Sequence, residues 1–279
     1  MFHLIRSIFA LLILAAALPA NAMQIYLVLM VLAVFAGTLF DIVHKGSAKY
    51  FFANARKTRA QGKPVNKASI AVKTLAVDVL ASGEFCNPRR RVAHLLTMYG
   101  FILYVVTTAL MVFVYPTAAT PTPALVAQLW WLGGLMVMVG GYWFWFFIRV
   151  DVAAEGSSPL RLMRADLFIL SLLASVTAGL LWAWLQASGS AASWPFFGLY
   201  LLATTVLFGG VYWSKFAHMF FKPAAAFDKR LAEADGTNMN LPLLSRDDPA
   251  QRERHSMELL RDAPMDMGLG IKREAPRHY

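Results

Sequence analysis

Five stretches of predominantly apolar residues, 24–43, 92–115, 125–149, 166–186 and 196–221, constrain this chain more than any motif does. About 20 apolar residues in a helix cross a hydrocarbon core of roughly 30 Å, and each stretch is that long. Within lipid a backbone must satisfy its own hydrogen bonds, which leaves the helix as the form for isolated apolar runs of this length. The expected fold class is therefore all-α, an integral membrane bundle of five transmembrane helices. Composition agrees, because 58% hydrophobic and 15% charged residues are too apolar a mixture for a water-soluble domain of 279 residues.

Residues 1–22 place Arg6 ahead of an apolar run and end on Pro19 and Ala20-Asn21-Ala22. This reads as a cleaved secretory signal or as an extra transmembrane helix, and both leave Met23 on the outer side. Residues 23–222 form the membrane domain, with a basic loop at 44–91, and 223–279 form a tail. Lys45, Lys49, Arg56, Lys57, Arg59, Lys63, Lys67, Lys73 and Arg89 to Arg91 face only Asp78 and Glu84 in that loop, so positive charge puts it in the cytoplasm. The links at 116–124 and 187–195 carry no charge and belong outside, whereas Arg149, Arg161 and Arg164 mark a second inner connection. The tail is then cytoplasmic and the mature N-terminus outside, an orientation that in a bacterium is that of an inner-membrane protein with a periplasmic N-terminus. Trp130, Trp131, Trp182, Trp184 and Trp194 gather at the outer interface as an aromatic belt, with Trp213 toward the inner one.

The net charge of +10 sits between apolar runs, a pattern of membrane topology that argues against a nucleic-acid partner. One cysteine, Cys86, excludes a disulfide frame, a thiolate zinc site and an iron–sulfur cluster held by this chain alone. In the basic loop, Asn66 caps a helix running to about Ser82 and ended by Gly83, a candidate for the membrane surface. In the tail, Asp248-Pro249 starts a helix that Pro264 stops. The rest of the tail reads either as a solvated, partly disordered end or as an arm for docking a soluble partner, since Met239, Leu241, Leu243, Leu244, Met265, Met267 and Leu269 lie among its charges.

Ionisable groups within lipid are costly and are functional candidates by default. His94 lies about one turn into the second stretch, and His218 lies about one turn before the fifth ends, so two helices of opposite direction bring imidazoles to one level near the cytoplasmic face. A b-type haem needs two such ligands and an apolar slot between helices. Thr97, Met98, Tyr212, Phe220 and Phe221 are candidate walls, and Arg89, Arg90 and Arg91 candidate partners for the propionates. Read without a cofactor, both histidines are ordinary interfacial residues. His44 and Asp41, at the inner end of the first stretch, are weaker candidates for a ligand and a proton relay. His3, His255 and His278 lie in the terminal segments.

With Arg91-Val92-Ala93-His94-Leu95-Leu96 opening the second stretch and Tyr212-Trp213-Ser214-Lys215-Phe216-Ala217-His218 closing the fifth, the chain resembles the nitrate reductase gamma family of membrane cytochrome b subunits. The fuller string from Gly83 to Arg91, then His94 and Tyr99-Gly100-Phe101, is similar to the heterodisulfide-reductase and quinone-interacting oxidoreductase branch. Within that branch it most resembles the membrane anchors that accompany adenylylsulfate reductase in sulfur-oxidising bacteria. The resemblance implies that His94 and His218 ligate one haem b, and that the subunit carries electrons between quinone and cytoplasmic iron–sulfur or flavin oxidoreductase subunits, adenylylsulfate reductase among them. It also implies a departure, because the family's second pair of histidines is replaced by Tyr104 and Tyr200, so at most one haem is expected. The chain itself is expected to carry no substrate chemistry. A haem-free anchor that only recruits the soluble enzyme is the alternative.

Overall fold

The computed structural model describes residues 20–45, 63–83, 85, 87–117, 119–213 and 218–236, with the backbone alone at Ala20, Lys45, His218 and Phe220. All regular structure among these residues is helical. Four helical segments are long and apolar enough to cross a membrane, Asn21–His44, Pro88–Phe113, Ala124–Ala153 and Arg164–Ala187, and a fifth apolar helix, Ser193–Gly209, is shorter.

The helices are α1 (Ala20–Lys45), α2 (Lys67–Lys73, widened into a π-type stretch over Thr74–Leu80), α3 (Pro88–Phe113) and α4 (Ala124–Trp143, continued by a π-type stretch to Ile148). After them come a single turn α5 (Val150–Ala153), α6 (Leu167–Ala187), α7 (Ser193–Gly209) and α8 (His218–Asp235). Two starts follow rules of capping. Asn66 accepts from Ser69 N at 3.1 Å, as expected from sequence. Asn87 accepts from Arg89 N and Arg90 N and precedes Pro88, whose missing N–H costs nothing in a first turn.

The core bundle is antiparallel. Against α3, Gly140 meets Ala93 and Thr97, Gly133 meets Gly100 and Tyr104, and Trp130 stacks on Tyr104, so one helix number falls as the other rises. Small residues let these backbones touch: a Cβ on Gly133 would come within 2.8 Å of Tyr104 N and 2.9 Å of Gly100 O. The helices α6 and α7 pair in the same sense through Trp182 with Phe197, Gly179 with Tyr200, and Ser175 hydrogen-bonded to Thr204 at 2.7 Å. By contrast α1 lies alongside α7 in parallel, with Tyr26 donating to Leu201 O at 3.0 Å and Gly37 against Val211. Most of α1 is uncovered, with Val31 and Phe35 each 67% exposed, the surface lipid would cover.

Two expectations change. The run 196–221 is not one helix: α7 ends at Gly209, turns occupy 210–213, and His218 opens the separate helix α8. Trp130 and Trp182 belong to the core, at 2% and 5% exposure, while Trp184 and Trp194 at the same end are open as a belt requires. The structure adds the surroundings of Arg149. This side chain is buried, bonded to Asp166 at 2.6 Å and to Arg161 O at 2.8 Å, and lies 4.0 Å over the Trp145 ring. The expected first segment up to residue 19, Lys49, Arg56, Lys57, Arg59, Glu84, Cys86, the Ser214–Ala217 link and the tail beyond 236 lie outside the described residues.

Candidate functional site

His94 sits in the second turn of α3, on the face beside the one that packs on α4. Its Nδ1 is 3.0 Å from the hydroxyl of Ser82, and its ring packs against Phe85 with centroids 4.8 Å apart. Ser82 is 1% exposed and holds φ at 49°, the left-handed region that a non-glycine residue rarely adopts. This conformation folds the loop after α2 back over α3. The fold-back is pinned three times: Tyr99 OH donates to Leu80 O at 2.7 Å, Arg91 Nε to Ala81 O at 2.8 Å, and Gly83 N to Val77 O at 2.7 Å. The helix ends at Leu80 with Ala81 as its cap, short of the expected end at Ser82, and the positive φ falls at Ser82 and not at Gly83. Glycine is needed at 83 for close approach, since a Cβ would meet Val77 Cγ1 at 2.8 Å.

The bond can run either way; an imidazole donating Nδ1–H to Ser82 would be the tautomer whose Nε2 binds a metal, the arrangement in which an outer hydrogen bond orients a ligating histidine. Sequence reasoning missed Ser82. Asn66 and Gly83 frame a helix that was legible, but nothing in Ala81-Ser82-Gly83 announces which of the two small residues turns toward α3.

The arginines divide their work. Arg90 lies over Phe85 at 5.8 Å and over Phe144 at 6.0 Å, Arg91 holds the loop, and Arg89 is exposed. From α8, Lys222 Nζ stands 5.6 Å from the same Phe85 ring. Position 218 is one helical turn before Lys222 on α8 and on its face. The side chain of His218 lies outside the described residues. Among the expected wall residues, Thr97 instead turns into the α3–α4 seam, donating to Ala93 O at 2.9 Å beside Gly140. Met98, four residues after His94, keeps to the histidine's face.

The helix α8 is fixed by α2. Asp228, Leu231, Ala232 and Asp235 form its buried stripe, Arg230 is ion-paired with Asp78, its Nη2 2.8 Å from Oδ1, and Lys63 N donates to Asp235 O at 3.0 Å. The Arg230 hydrogen bond first, then the nearby positive charges of Arg230, Lys229 and Lys73, hold the Asp78 carboxyl below its ordinary value against the opposing effect of burial.

Asp41 and His44 lie together at the end of α1. Asp41 is buried; His44 is exposed, stacked on Phe40 at 5.2 Å and edge-on to Tyr212 at 6.1 Å. Further along the bundle, Tyr104 and Tyr200 are both buried and converge on Gly179, where a Cβ would lie 2.5 Å from the Tyr104 hydroxyl and 3.1 Å from the Tyr200 ring. Trp130 and Trp182 stack on them in turn. Among the described residues no group of three or more His, Cys, Asp or Glu side chains converges. Compared with protein-family models, with curated proteins and with solved structures, the chain matches none.

Proposed function

We propose that this chain is a membrane anchor and electron-transfer subunit linking cytoplasmic iron–sulfur or flavin oxidoreductase subunits, adenylylsulfate reductase as the named candidate, to the quinone pool through one haem b. The observation that carries the reading is a buried serine, in a conformation costly to hold, bonded to His94 of a helix long and apolar enough to span. Strained backbone kept in place by several hydrogen bonds is a recognised mark of functional sites. His94 and His218 would hold the haem iron, and Arg90 and Lys222, both near Phe85, would meet its propionates. When bound, haem b supplies one-electron exchange at a potential set by ligand type, burial and the hydrogen bonds to its ligands. What the chain's own residues do is orient the imidazole and carry positive charge to the membrane edge. The aromatic packing around Tyr104 and Tyr200 supports a single haem, because those rings fill the region a second would need. In this reading five helices cross the bacterial inner membrane, with the 17 residues of α7 the shortest span, at the lower end of what suffices.

The test is a reduced-minus-oxidised visible spectrum of protein purified from cells supplied with haem. A b-type band is expected, lost in both His94→Ala and His218→Ala. No band in the unaltered protein would leave the haem-free anchor.

A further inference from the structure

The loop helix α2 has two unlike faces. Thr74, 3% exposed, and Asp78, paired with Arg230, turn toward α8. Opposite them, Val72 at 69%, Leu75 at 56%, Leu80 at 46% and the exposed Ala76 form an apolar stripe at spacings of three and four. The exposed ammonium groups of Lys63, Lys67 and Lys73 accompany it.

We infer that α2 is an in-plane membrane helix whose stripe is covered by the acyl chains of the leaflet at the His94 end of the bundle. Two observations choose lipid over a soluble partner. First, the end of α2 is fixed alongside a spanning helix: Leu80 is bonded to Tyr99, Ala81 to Arg91 and Ser82 to His94. By helix rise His94 lies about 9 Å from the start of α3 and Tyr99 about 16 Å. The stripe therefore continues directly into the exposed face of α3 that carries Val92, Tyr99 and Ile102, which the bilayer already covers in a spanning helix. Second, the irregular backbone at this point is satisfied by protein: the carbonyls of Leu80, Ala81 and Ser82 accept from Tyr99, Arg91 and Phe85 N, and Gly83 N donates to Val77 O. Non-helical backbone is tolerated at membrane depth only when it is paired in this way. The lysines reach outward to the headgroups while their stems stay with the apolar face. Lipid contact would thus hold down the helix whose end presents Ser82 to His94.

The inference does not depend on haem. Nitroxide labels are placed singly at positions 72, 76 and 233 in the full chain, with Cys86→Ser, reconstituted in phosphatidylethanolamine and phosphatidylglycerol nanodiscs. The ratio of collision with oxygen to collision with a water-soluble nickel chelate is expected to be several-fold higher at 72 and 76 than at 233. Ratios at 72 and 76 equal to that at 233 overturn the inference by placing the stripe in water. Shielding of 72 and 76 from both reagents overturns it by placing protein there. As a second measurement, Val72→Asp with Leu75→Asp is expected to raise amide exchange over 67–83 several-fold while exchange in α4 and α6 stays as in the unaltered protein; unchanged exchange over 67–83 overturns it too.

Discussion

Ser82 is the residue on which the site turns. On the proposed function His94 would donate Nδ1–H to its hydroxyl, and such a bond would make the imidazole a more basic ligand, favouring the oxidised iron. On the proposed function, Ser82→Ala and Ser82→Gly should both raise the haem midpoint potential, read by a spectroelectrochemical titration, while the bis-histidine spectrum persists. The two variants should differ in stability, since glycine accepts φ of 49° and alanine does not. A role confined to loop geometry would leave the potential unmoved in Ser82→Gly. Arg149 makes a similar point about reading single residues. Its charge is legible in the sequence as an inner-side marker, but its burial with Asp166 is a tertiary fact, set by a connection that turns back on itself between α4 and α6.

At the scale of elements, the α3–α4 seam depends on glycines meeting backbone. Gly133→Ala should destabilise the bundle by about 1 to 3 kcal/mol, because the obstructing atoms are backbone and not a yielding side chain. Gly198 in α7 has open space at its Cβ position, so Gly198→Ala should be neutral or mildly stabilising. Thermal unfolding in one detergent compares the two. Between α2 and α8 the Asp78–Arg230 pair predicts a pH dependence. Because the Asp78 carboxyl is held below its ordinary value, its contribution is complete above about pH 4, where an unfolded aspartate ionises, and is lost as pH falls through the lower folded value. Amide exchange along α8 should therefore accelerate at acid pH in the native protein. Asp78→Asn should show the faster exchange already at neutral pH, with a cost on the order of 1 kcal/mol.

At the scale of the whole molecule, apolar length was the dependable signal. The positions of α1, α3, α4 and α6 were legible because a helix that crosses lipid must be apolar over its entire length, whatever it packs against. The fifth run misled for the same reason: 196–221 is apolar throughout, yet Gly209 and Gly210 permit a break, and hydropathy does not register a turn between two apolar segments. Trp130 and Trp182 were read as interfacial and are buried, since burial depends on which neighbour covers the ring. The level of His94 followed from counting residues along a helix; Ser82 beside it did not.

Sequence alone determined that the chain is helical and suited to a bilayer and that its basic charge is concentrated in one loop, because those properties are carried by one residue or one segment at a time. Tertiary structure decided that Ser82 holds His94, that Arg149 is buried with Asp166, that α8 leaves the bundle to pack on α2, and that Tyr104 and Tyr200 share one space. Each of these is a meeting of residues distant in the chain or dependent on a backbone turn, and the free energy that fixes it comes from packing and hydrogen bonds that no single segment contains.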